Sequence, residues 1–303
     1  QVLLMQPNHF DALQLLGVLF AQVKKYPQAV EFLSKALEIN PNHAGAYSNR
    51  GNALKELKRF DEALASYDQA LILNPNHAGT FTNRGVTLQA LKHLDEALAS
   101  YEQSLKIEPE LATTHYNLSL FNLMRGNFKA GWPGYEWRWL DKDFDSEPLK
   151  SAKPGWDYRK TNQRLLVSAE QGIGDHIFFG SLLLELLEDV PNLLVQIDKR
   201  LIPIFTRSLP KIKFYPDNLI LPESDYDIHV PIGSLGKYLR NDEKDFLKSK
   251  NKFFTSDQKR TQVIRQELSA SKKLICGLSW KSQNEKTGAV RSLSLEKLAT
   301  IFD

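Results

Sequence analysis

The chain has 303 residues, of which 42% are hydrophobic and 25% charged, a composition typical of a globular protein with about two domains. Its 39 basic and 36 acidic residues leave a formal net charge of +3, which is too small to indicate a nucleic-acid or membrane-surface partner. The single cysteine, Cys276, excludes an internal disulfide framework and a cysteine-built zinc site. Because the apolar runs are too short for a membrane span, we expect a cytoplasmic protein.

Residues of several types recur every 34 positions in the first half of the chain. They are Pro7, Pro41, Pro75 and Pro109; Gly17, Gly51 and Gly85; Ala29, Ala63 and Ala97; and Tyr67, Tyr101 and Tyr135. The pattern resembles the tetratricopeptide repeat, which implies complete repeats at 10–43, 44–77 and 78–111 and a degenerate fourth from 112 to about 139. Each repeat is expected to be two antiparallel helices, such as 46–57 and 61–73, and the repeats to stack into a solenoid with a concave surface. Residues 1–6 look like the end of a helix, so we expect further repeats upstream.

Polar residues on the same period are candidates for binding. Asn49, Asn83 and Asn117 hold the sixth position of successive repeats, and Arg50 and Arg84 follow the first two. In O-GlcNAc transferase, which the array resembles, asparagines at this position grip an extended peptide backbone, and an amide suits that role because it both donates and accepts. Alternatively, each asparagine satisfies a helix end or meets solvent, and the arginines favour an acidic partner. The repeated histidines at 9, 43 and 77 lie too far apart to bind one metal ion and are interpreted as turn residues.

The fourth repeat loses the pattern, since Ser119 replaces glycine and Gly131 and Arg138 replace alanine. Three tryptophans between positions 132 and 139 favour a hydrophobic docking surface for the next domain, with a sugar- or base-stacking site as the alternative. Residues 141–163 are polar, contain Pro148 and Pro154, and are typical of a linker that wraps the second domain.

The second half alternates strand-like and helical segments, which predicts an α/β domain with a parallel sheet and helices on both faces. Strands are expected at 165–168, 193–197, 212–215, 228–230 and 274–280. Between the first strand and its helix, Gly172 and Gly174 should let the backbone turn sharply, and Asp175 falls at the helix start, where a carboxylate is favoured. A nicotinamide-dinucleotide fold is one interpretation, with Asp198 as the ribose ligand. Its third glycine is missing, because position 177 is isoleucine.

The stretch Ser168–His176, together with Gly277-Leu278-Ser279-Trp280-Lys281 and Arg291-Ser292-Leu293, is similar to glycosyltransferases of the GT-B architecture. The likeness is to the heptosyltransferase type and to bacterial proteins related to O-GlcNAc transferase. It implies an α + α/β protein in which the repeat array (1–140) and linker (141–163) precede a Rossmann-like GT-B domain (164–270). Residues 271–303 would begin a second such domain that is cut short.

The resemblance also implies residue roles. Asp175 would be the general base for an acceptor hydroxyl, with His176 and Glu170 in reserve, although an aspartate at a helix start often acts only as a cap. Lys281 and Arg291, with Trp280 beside them, would bind the diphosphate of a nucleotide-sugar donor, although they fit an ordinary basic loop as well. The residues show no metal cluster, and we expect neither a cofactor nor a metal.

Two functions follow from these patterns. In the first, the chain belongs to a glycosyltransferase whose repeats recruit a protein or glycan acceptor, and this 303-residue chain is itself expected to be inactive because most of the donor pocket is missing. In the second, it is a non-catalytic scaffold for protein–protein interaction. Transfer that is lost on Asp175→Ala would support the first, and partner capture without nucleotide binding the second.

Overall fold

A computed structural model describes residues 2–247 and 253–268. The chain divides into two compact units, Gln1–Phe254 and Thr255–Asp303. The first unit contains both the repeats and a parallel sheet, so the predicted combination of an α array with an α/β region is confirmed. In the second unit the described element is a helix, Gln258–Leu268 (α15). Trp280, Lys281 and Arg291 lie outside the described residues, and the predicted divisions at 140, 163 and 270 stay predictions.

The repeats are pairs of helices, A and B, that follow the predicted 34-residue period. In repeat 2 the helices run 44–56 and 60–73, where the sequence predicts 46–57 and 61–73. Repeat 4 has a shortened B helix that continues into a 3₁₀ helix, Glu136–Leu140. The helices are α1 (Val2–Met5), α2 (Phe10–Gln22), α3 (Tyr26–Ile39), α4 (Ala44–Glu56), α5 (Phe60–Leu73), α6 (Ala78–Ala90), α7 (Leu94–Ile107), α8 (Ala112–Met124) and α9 (Phe128–Tyr135).

Small residues on the A helices make room for bulky residues on the B helices. A Cβ atom at Gly51 would lie 2.5 Å from Cε1 of Tyr67, and one at Gly85 would lie 2.8 Å from Cε1 of Tyr101. Both tyrosine side chains are fully buried. In repeat 4 the small residue moves to the B helix, where Gly134 packs on Ser119. The periodic glycines are therefore close-packing positions between paired helices.

The Pro-Asn-His turns between repeats provide the caps of the next A helix. The ring Nδ1 atoms of His9, His43 and His77 accept the backbone N–H of the residue three positions on, at 3.3, 3.0 and 3.1 Å. These side chains satisfy N–H groups that the first turn of a helix leaves unpaired. The histidines are turn residues, as predicted, and their specific role is that of an N-cap.

The A helices end in a left-handed residue that also repeats every 34 positions. Lys24, Lys58 and Lys92 have φ angles of +59°, +60° and +65°, and Gly126 holds the same place in repeat 4 with φ +77°. In a residue with left-handed backbone angles, the side chain clashes with the residue's own backbone, and glycine avoids that energetic cost. The three lysines are exposed, so the conformation and not a side-chain contact decides what fits there.

We expect Lys58→Gly to raise the free energy of unfolding by about 0.5 kcal/mol, because relief of left-handed strain exceeds the extra chain entropy of glycine. Urea unfolding followed by circular dichroism measures the change. Lys55→Gly is the matched control, because Lys55 lies in the last turn of α4 with ordinary helical geometry. That change should lower stability by about 1 kcal/mol. Destabilisation by Lys58→Gly would contradict the conclusion that the left-handed conformation of Lys58 is strained.

A four-stranded parallel sheet follows the repeats, with strand order β3-β2-β1-β4. Its strands are β1 (Leu165–Ser168), β2 (Leu193–Ile197), β3 (Lys213–Pro216) and β4 (Ile228–Pro231). The connecting helices are α10 (Ile173–Gly180), α11 (Leu183–Asp189) and α12 (Ile202–Ser208). After β4 come a 3₁₀ turn (Ile232–Ser234), α13 (Leu235–Leu239) and α14 (Glu243–Phe246). The first two strands coincide with the predicted ranges.

The prediction of helices on both faces of the sheet is wrong for the described residues. Alternate strand residues, including Val167 and Val195, pack with α9 to α13 in one core. Leu166 and Leu194 point to the other face, where Leu149 from the linker and Leu221 from a loop cover them. The linker does wrap the sheet as predicted, and its residue 155 forms a parallel bridge to β4.

Candidate functional site

Asp175 stands in the first turn of α10, directly after the loop that leaves β1. Its Oδ2 atom accepts the backbone N–H of Gly172 at 3.1 Å, so the carboxylate caps its own helix. The side chain is half-buried, and among the described residues no second hydrogen bond ties down Oδ1. One oxygen is therefore fixed in place while the other has no donor from the described part of the chain.

The turn before α10 is made by Gln171 and not by the glycines that the sequence indicates. Gln171 has φ +61°, whereas Gly172 has φ −104° and Gly174 lies outside the left-handed region as well. The backbone N–H of Gln171 donates to Ser146 Oγ at 2.7 Å, and its side-chain amide donates to Tyr135 Oη at 3.1 Å. Gly172 and Gly174 are exposed, and a Cβ atom at Gly174 would meet open space. The expectation that these glycines provide the sharp turn is wrong, because contacts to the linker and to repeat 4 hold Gln171 in the strained conformation.

A groove of about 660 Å³ separates repeat 4 from α10, and Asp175 lines it. Its walls are largely aromatic and aliphatic. Leu120 on α8, Phe178 on α10 and Phe246 on α14 are exposed by 38%, 63% and 41%. The other lining residues are Tyr116, Leu123, Phe128, Trp132, Tyr135, Gln171, Phe179, Ser181, Leu182, Gly236 and Arg240. The groove has the size of a ligand or peptide-anchor site, about 300–1,000 Å³.

Glu170 forms a buried ion pair with Arg138 of repeat 4. The guanidinium donates from Nε to Glu170 Oε2 at 3.0 Å and from Nη2 to Oε1 at 3.2 Å, and Nη2 also donates to Ser234 Oγ at 2.8 Å. Burial raises the pKa of the Glu170 carboxyl, although the Arg138 charge opposes the shift. Burial works against the charged Arg138, but the carboxylates of Glu170 and Glu136 raise its pKa above the ordinary value. Glu170 is closed to solvent, which leaves Asp175 as the accessible carboxylate of this loop.

Arg138 occupies the place where an open parallel sheet usually binds its ligand. β2 and β3 lie on one side of β1, and β4 lies on the other side. Where the strand order reverses in this way, a crevice opens at the carboxyl ends of the two strands, here β1 and β4. Glu170 follows β1 and Ser234 follows β4, and Arg138 contacts both. Gly233 is needed there, because a Cβ atom would collide with the Glu170 carboxylate. The crevice is therefore filled by Arg138, whereas the groove beside α10 is open.

His176 is buried behind the same turn. Its Nδ1 accepts the backbone N–H of Asp198 at 3.0 Å, and its Nε2 has no hydrogen-bond partner among the residues that the structure describes. Burial lowers the pKa of the imidazole, while the charge of Asp217 and the carbonyl of Glu170 act in the opposite direction. The ring is buried and joins the end of β2 to α10, which suits a structural role better than direct contact with a substrate.

We expect the free energy of unfolding to fall as the pH drops below about 6.5, the ordinary histidine pKa. The unfolded chain then takes up a proton that the folded state resists at His176, whose folded pKa is the lower one. His176→Gln keeps an acceptor for Asp198 N–H and should flatten the profile in urea unfolding at stepped pH. His93→Gln, at a ring that is 54% exposed, is the control and should leave the pH dependence of the unfolding free energy unchanged. An unchanged slope in His176→Gln would remove His176 as the cause.

Asp198, the ribose ligand of the dinucleotide interpretation, is paired within its own loop. Arg200 donates its backbone N–H and Nε to Oδ1 and its Nη2 to Oδ2, at 2.8, 2.9 and 2.7 Å. These hydrogen bonds hold the pKa of the Asp198 carboxyl well below its usual range. The carboxylate is thus already satisfied by a neighbouring cation.

The predicted asparagine ladder lies on the A helices, which form the inner layer because successive A helices contact each other along the array. Asn49, Asn83 and Asn117 are all half-buried. The amide of Asn117 donates to the carbonyl of Thr113 at 2.8 Å, whereas the side chains of Asn49 and Asn83 have no partner among the described residues. Two amides at equivalent places are therefore open.

The two arginines beside the ladder bridge helices within the array. Arg50 donates to Ser66 Oγ at 3.1 Å, and Arg84 donates to Ser100 Oγ at 2.7 Å, in each case to the B helix of the same repeat. Arg84 also pairs with Asp68 at 2.7 Å. In repeat 4 the same two places hold Leu118 and Gly134, so the bridge is absent there. The arginines have a structural role, and this role weakens the case for an acidic partner.

Sequence reasoning missed the residues that join the repeats to the sheet. Arg138 was visible as a departure from the repeat, but its partner lies 32 positions away with no local spacing to mark it. Trp132 belonged to the predicted docking surface, and it does dock, with Nε1 donating to the carbonyl of Arg240 at 2.5 Å. Trp137 instead stacks on His115 at 3.9 Å between ring centroids.

Within residues 2–247 and 253–268, no group of three or more histidine, cysteine, aspartate or glutamate side chains is placed to hold a metal ion. No helix in this part of the chain is long and apolar enough to cross a membrane.

Comparison with known proteins identifies the array. Two tetratricopeptide repeat models match residues 10–43 and 44–77, and 78–111. A curated relative, Protein FlbA of Caulobacter vibrioides, is 26% identical over 192 residues, which is 57% of this chain and 32% of FlbA. The chain thus spans about a third of the length of that relative.

Solved structures that resemble parts of this chain include two tetratricopeptide repeat domains. The crystal structure of MamA is 22% identical and covers 45% of this chain and 80% of its own, with a TM-score of 0.42. The first repeat domain of Spaghetti (RPAP3), bound to an HSP90 peptide, is 26% identical. The match covers 38% of this chain and 92% of that domain, with a TM-score of 0.37. The Arabidopsis OM64 domain is 23% identical. The match covers 38% of this chain and 95% of that domain, with a TM-score of 0.37. By the matched family models and the periodic packing described above, residues 10–111 of this chain are three tetratricopeptide repeats.

Proposed function

We propose that this chain belongs to a glycosyltransferase that moves a sugar from a nucleotide diphosphate to a hydroxyl group of a protein acceptor. The observation that carries the proposal is the position of Asp175. It is an accessible carboxylate at the carboxyl edge of a parallel sheet, it lines a groove, and the opposite wall of that groove is a repeat. Substrates of open α/β sheets bind at this edge, and tetratricopeptide arrays bind polypeptide segments.

In the proposed reaction Asp175 is the general base. The Gly172 N–H holds Oδ2, and Oδ1 accepts the proton of the acceptor hydroxyl as the hydroxyl oxygen attacks the anomeric carbon of the donor. A carbon–oxygen bond to the acceptor forms, the bond to the diphosphate breaks, and the nucleoside diphosphate leaves with the bonding electron pair. If the sequence resemblance holds, Lys281 and Arg291, with Trp280 beside them, would bind that diphosphate, where two cations would stabilise the developing charge.

The repeats would deliver the acceptor. The side-chain amides of Asn49 and Asn83 are free to pair with a peptide bond, and they occupy equivalent places on the inner helices. An amide that donates and accepts holds a backbone whatever its side chains are. A polypeptide that follows these helices towards the carboxyl end of the array reaches α8, which carries both Asn117 and the groove wall.

The test distinguishes the role of Asp175 as a helix cap from its proposed role as a general base. Asp175→Asn keeps an oxygen that accepts from Gly172 N–H, so the fold should be retained, but an amide does not take up a proton. We expect the longest natural form of the protein to transfer or hydrolyse a radiolabelled nucleotide-sugar from a panel, and Asp175→Asn to lower kcat about 10²–10⁴-fold. Glu188→Gln, at an exposed carboxylate outside the groove, is the matched control. Full activity in Asp175→Asn would refute the assignment.

A scaffold without catalysis is the second candidate, and the Arg138 side chain favours it. This guanidinium fills the crevice between β1 and β4 that a ligand usually occupies. A scaffold would bind peptides through Asn49 and Asn83 and show no heat of binding with any nucleoside diphosphate in calorimetry. Asn49→Ala/Asn83→Ala should then abolish peptide binding, while Asp175→Asn leaves it unchanged.

A further inference from the structure

The inner helix of repeat 4 presents an apolar stripe where the earlier inner helices are more polar. The stripe consists of Tyr116 and Leu120, spaced four residues apart and therefore on one face of α8. Leu120 is 38% exposed, whereas the sulfur of Met124, four residues further on, accepts from Gln89 Nε2 on α6 and so belongs to the contact with repeat 3. The same two positions in the two preceding repeats hold Ser48 and Asn52, and Thr82 and Val86.

In the earlier repeats this face points at the next inner helix. The hydroxyl of Ser48 on α4 bonds to that of Thr80 on α6 at 2.9 Å. One repeat later, Thr82 on α6 bonds to Thr114 on α8 at 2.6 Å. Tyr116 holds the equivalent position on α8 and so faces the place where a further inner helix would stack.

Beyond α8 only part of that place is filled. The Tyr116 ring lies 5.8 Å from the rings of both Tyr135 and Phe144, so the amino-terminal end of the stripe is covered. At the other end Leu120 borders the open groove, across which Phe178 projects from α10. The groove therefore continues the stacking surface of α2, α4, α6 and α8, and the described residues provide no further inner helix there.

We propose that the groove binds an amphipathic helix of the protein acceptor, which stacks on α8 as the next inner helix would. Its apolar side chains, at helical spacing, would cover Leu120, Phe178 and Phe246, and Asp175 and Gln171 would meet its polar margin. A helix fits better than an extended strand, because the surface it extends is built by helix-on-helix packing and offers no open strand edge. The identification of the helix with the acceptor rests on the proposed function.

The experiment is a selection from a phage-displayed library of random segments of about 16 residues, long enough for four helical turns. We expect enriched sequences to carry apolar residues at i, i+3 or i+4, and i+7, and the best synthetic peptide to become helical on binding. Phe178→Glu and Leu120→Glu should weaken its Kd about tenfold or more. Ile220→Glu is the matched control, since Ile220 is 93% exposed and outside the groove.

Three outcomes would overturn the proposal. Enrichment without helical spacing, or no enrichment, would exclude a helix as the occupant. Binding that survives Phe178→Glu and Leu120→Glu would move the site elsewhere. A dimer in sedimentation equilibrium that Phe178→Glu dissociates would assign the groove to a second copy of the chain. Because the selection uses no nucleotide-sugar, helix binding can succeed when transfer fails in the Asp175→Asn comparison, and the reverse.

Discussion

Replacement of Glu170 by methionine is expected to lower the free energy of unfolding by about 3–5 kcal/mol, because it leaves the Arg138 guanidinium buried without a counter-charge. Both side chains are closed to solvent, and two hydrogen bonds join them. The reverse change, Arg138→Met, should cost a similar amount, since a lone carboxylate is then enclosed next to Gly233. Urea unfolding of each variant measures the loss.

The double variant Arg138→Met/Glu170→Met distinguishes a charge effect from a packing effect. Taking both ions out of water costs several kcal/mol, so two apolar side chains of similar length should recover most of the stability. The cycle should therefore show a large favourable coupling between the two positions. The exposed pair Arg59–Glu62 is the control, and Glu62→Met should have little effect there, because solvent screens it. Additive losses in the double variant would show that the residues act independently.

Sequence periodicity predicted the parts of the fold that local rules determine. The repeat places a glycine opposite a bulky residue of the B helix, leucine in repeat 1 and tyrosine in repeats 2 and 3, and the glycine at 51 is needed because Tyr67 fills the space above it. Strands β1 and β2 were predicted with correct limits, since both are short apolar runs that are buried on both faces. In each case the signal lies within one repeat or one strand.

What the sequence did not show depends on contacts between distant segments. The linker covers one face of the sheet through Leu149, an isolated apolar residue in a polar stretch with no period to reveal it. The turn at Gln171 is left-handed because Ser146 and Tyr135 hold it, although two glycines next to it are the usual choice for such a turn. For Asp175 the sequence left cap and base open. The structure shows that Asp175 caps α10, and its role as a general base stays a proposal.

Trp132→Ala is expected to lower the free energy of unfolding by about 3–5 kcal/mol, because it removes a buried indole that packs in the core shared by repeat 4 and the sheet. The indole lies directly over Gly236 on α13, where a Cβ atom would collide with it. Its ring stands at 85° to Tyr135, and its N–H donates to the carbonyl of Arg240. Gly236→Val should destabilise the same interface from the other side without shortening the tryptophan.

The consequence that distinguishes a docking role from ordinary core packing is the loss of cooperativity. Trp132 and Arg138 connect repeat 4 to α13 and to the β1 edge, so the wild-type chain should unfold its repeats and sheet in one transition. In Trp132→Ala the repeats, which contribute most of the helix signal, should separate from the sheet in a urea titration that combines circular dichroism with hydrogen exchange of β1 and β2 amides. Trp137→Ala is the matched control, because Trp137 stacks on His115 within repeat 4 and is not part of the sheet core. A single transition with coincident probes in Trp132→Ala would show that other contacts maintain the coupling, with the Arg138–Glu170 pair as the next to remove.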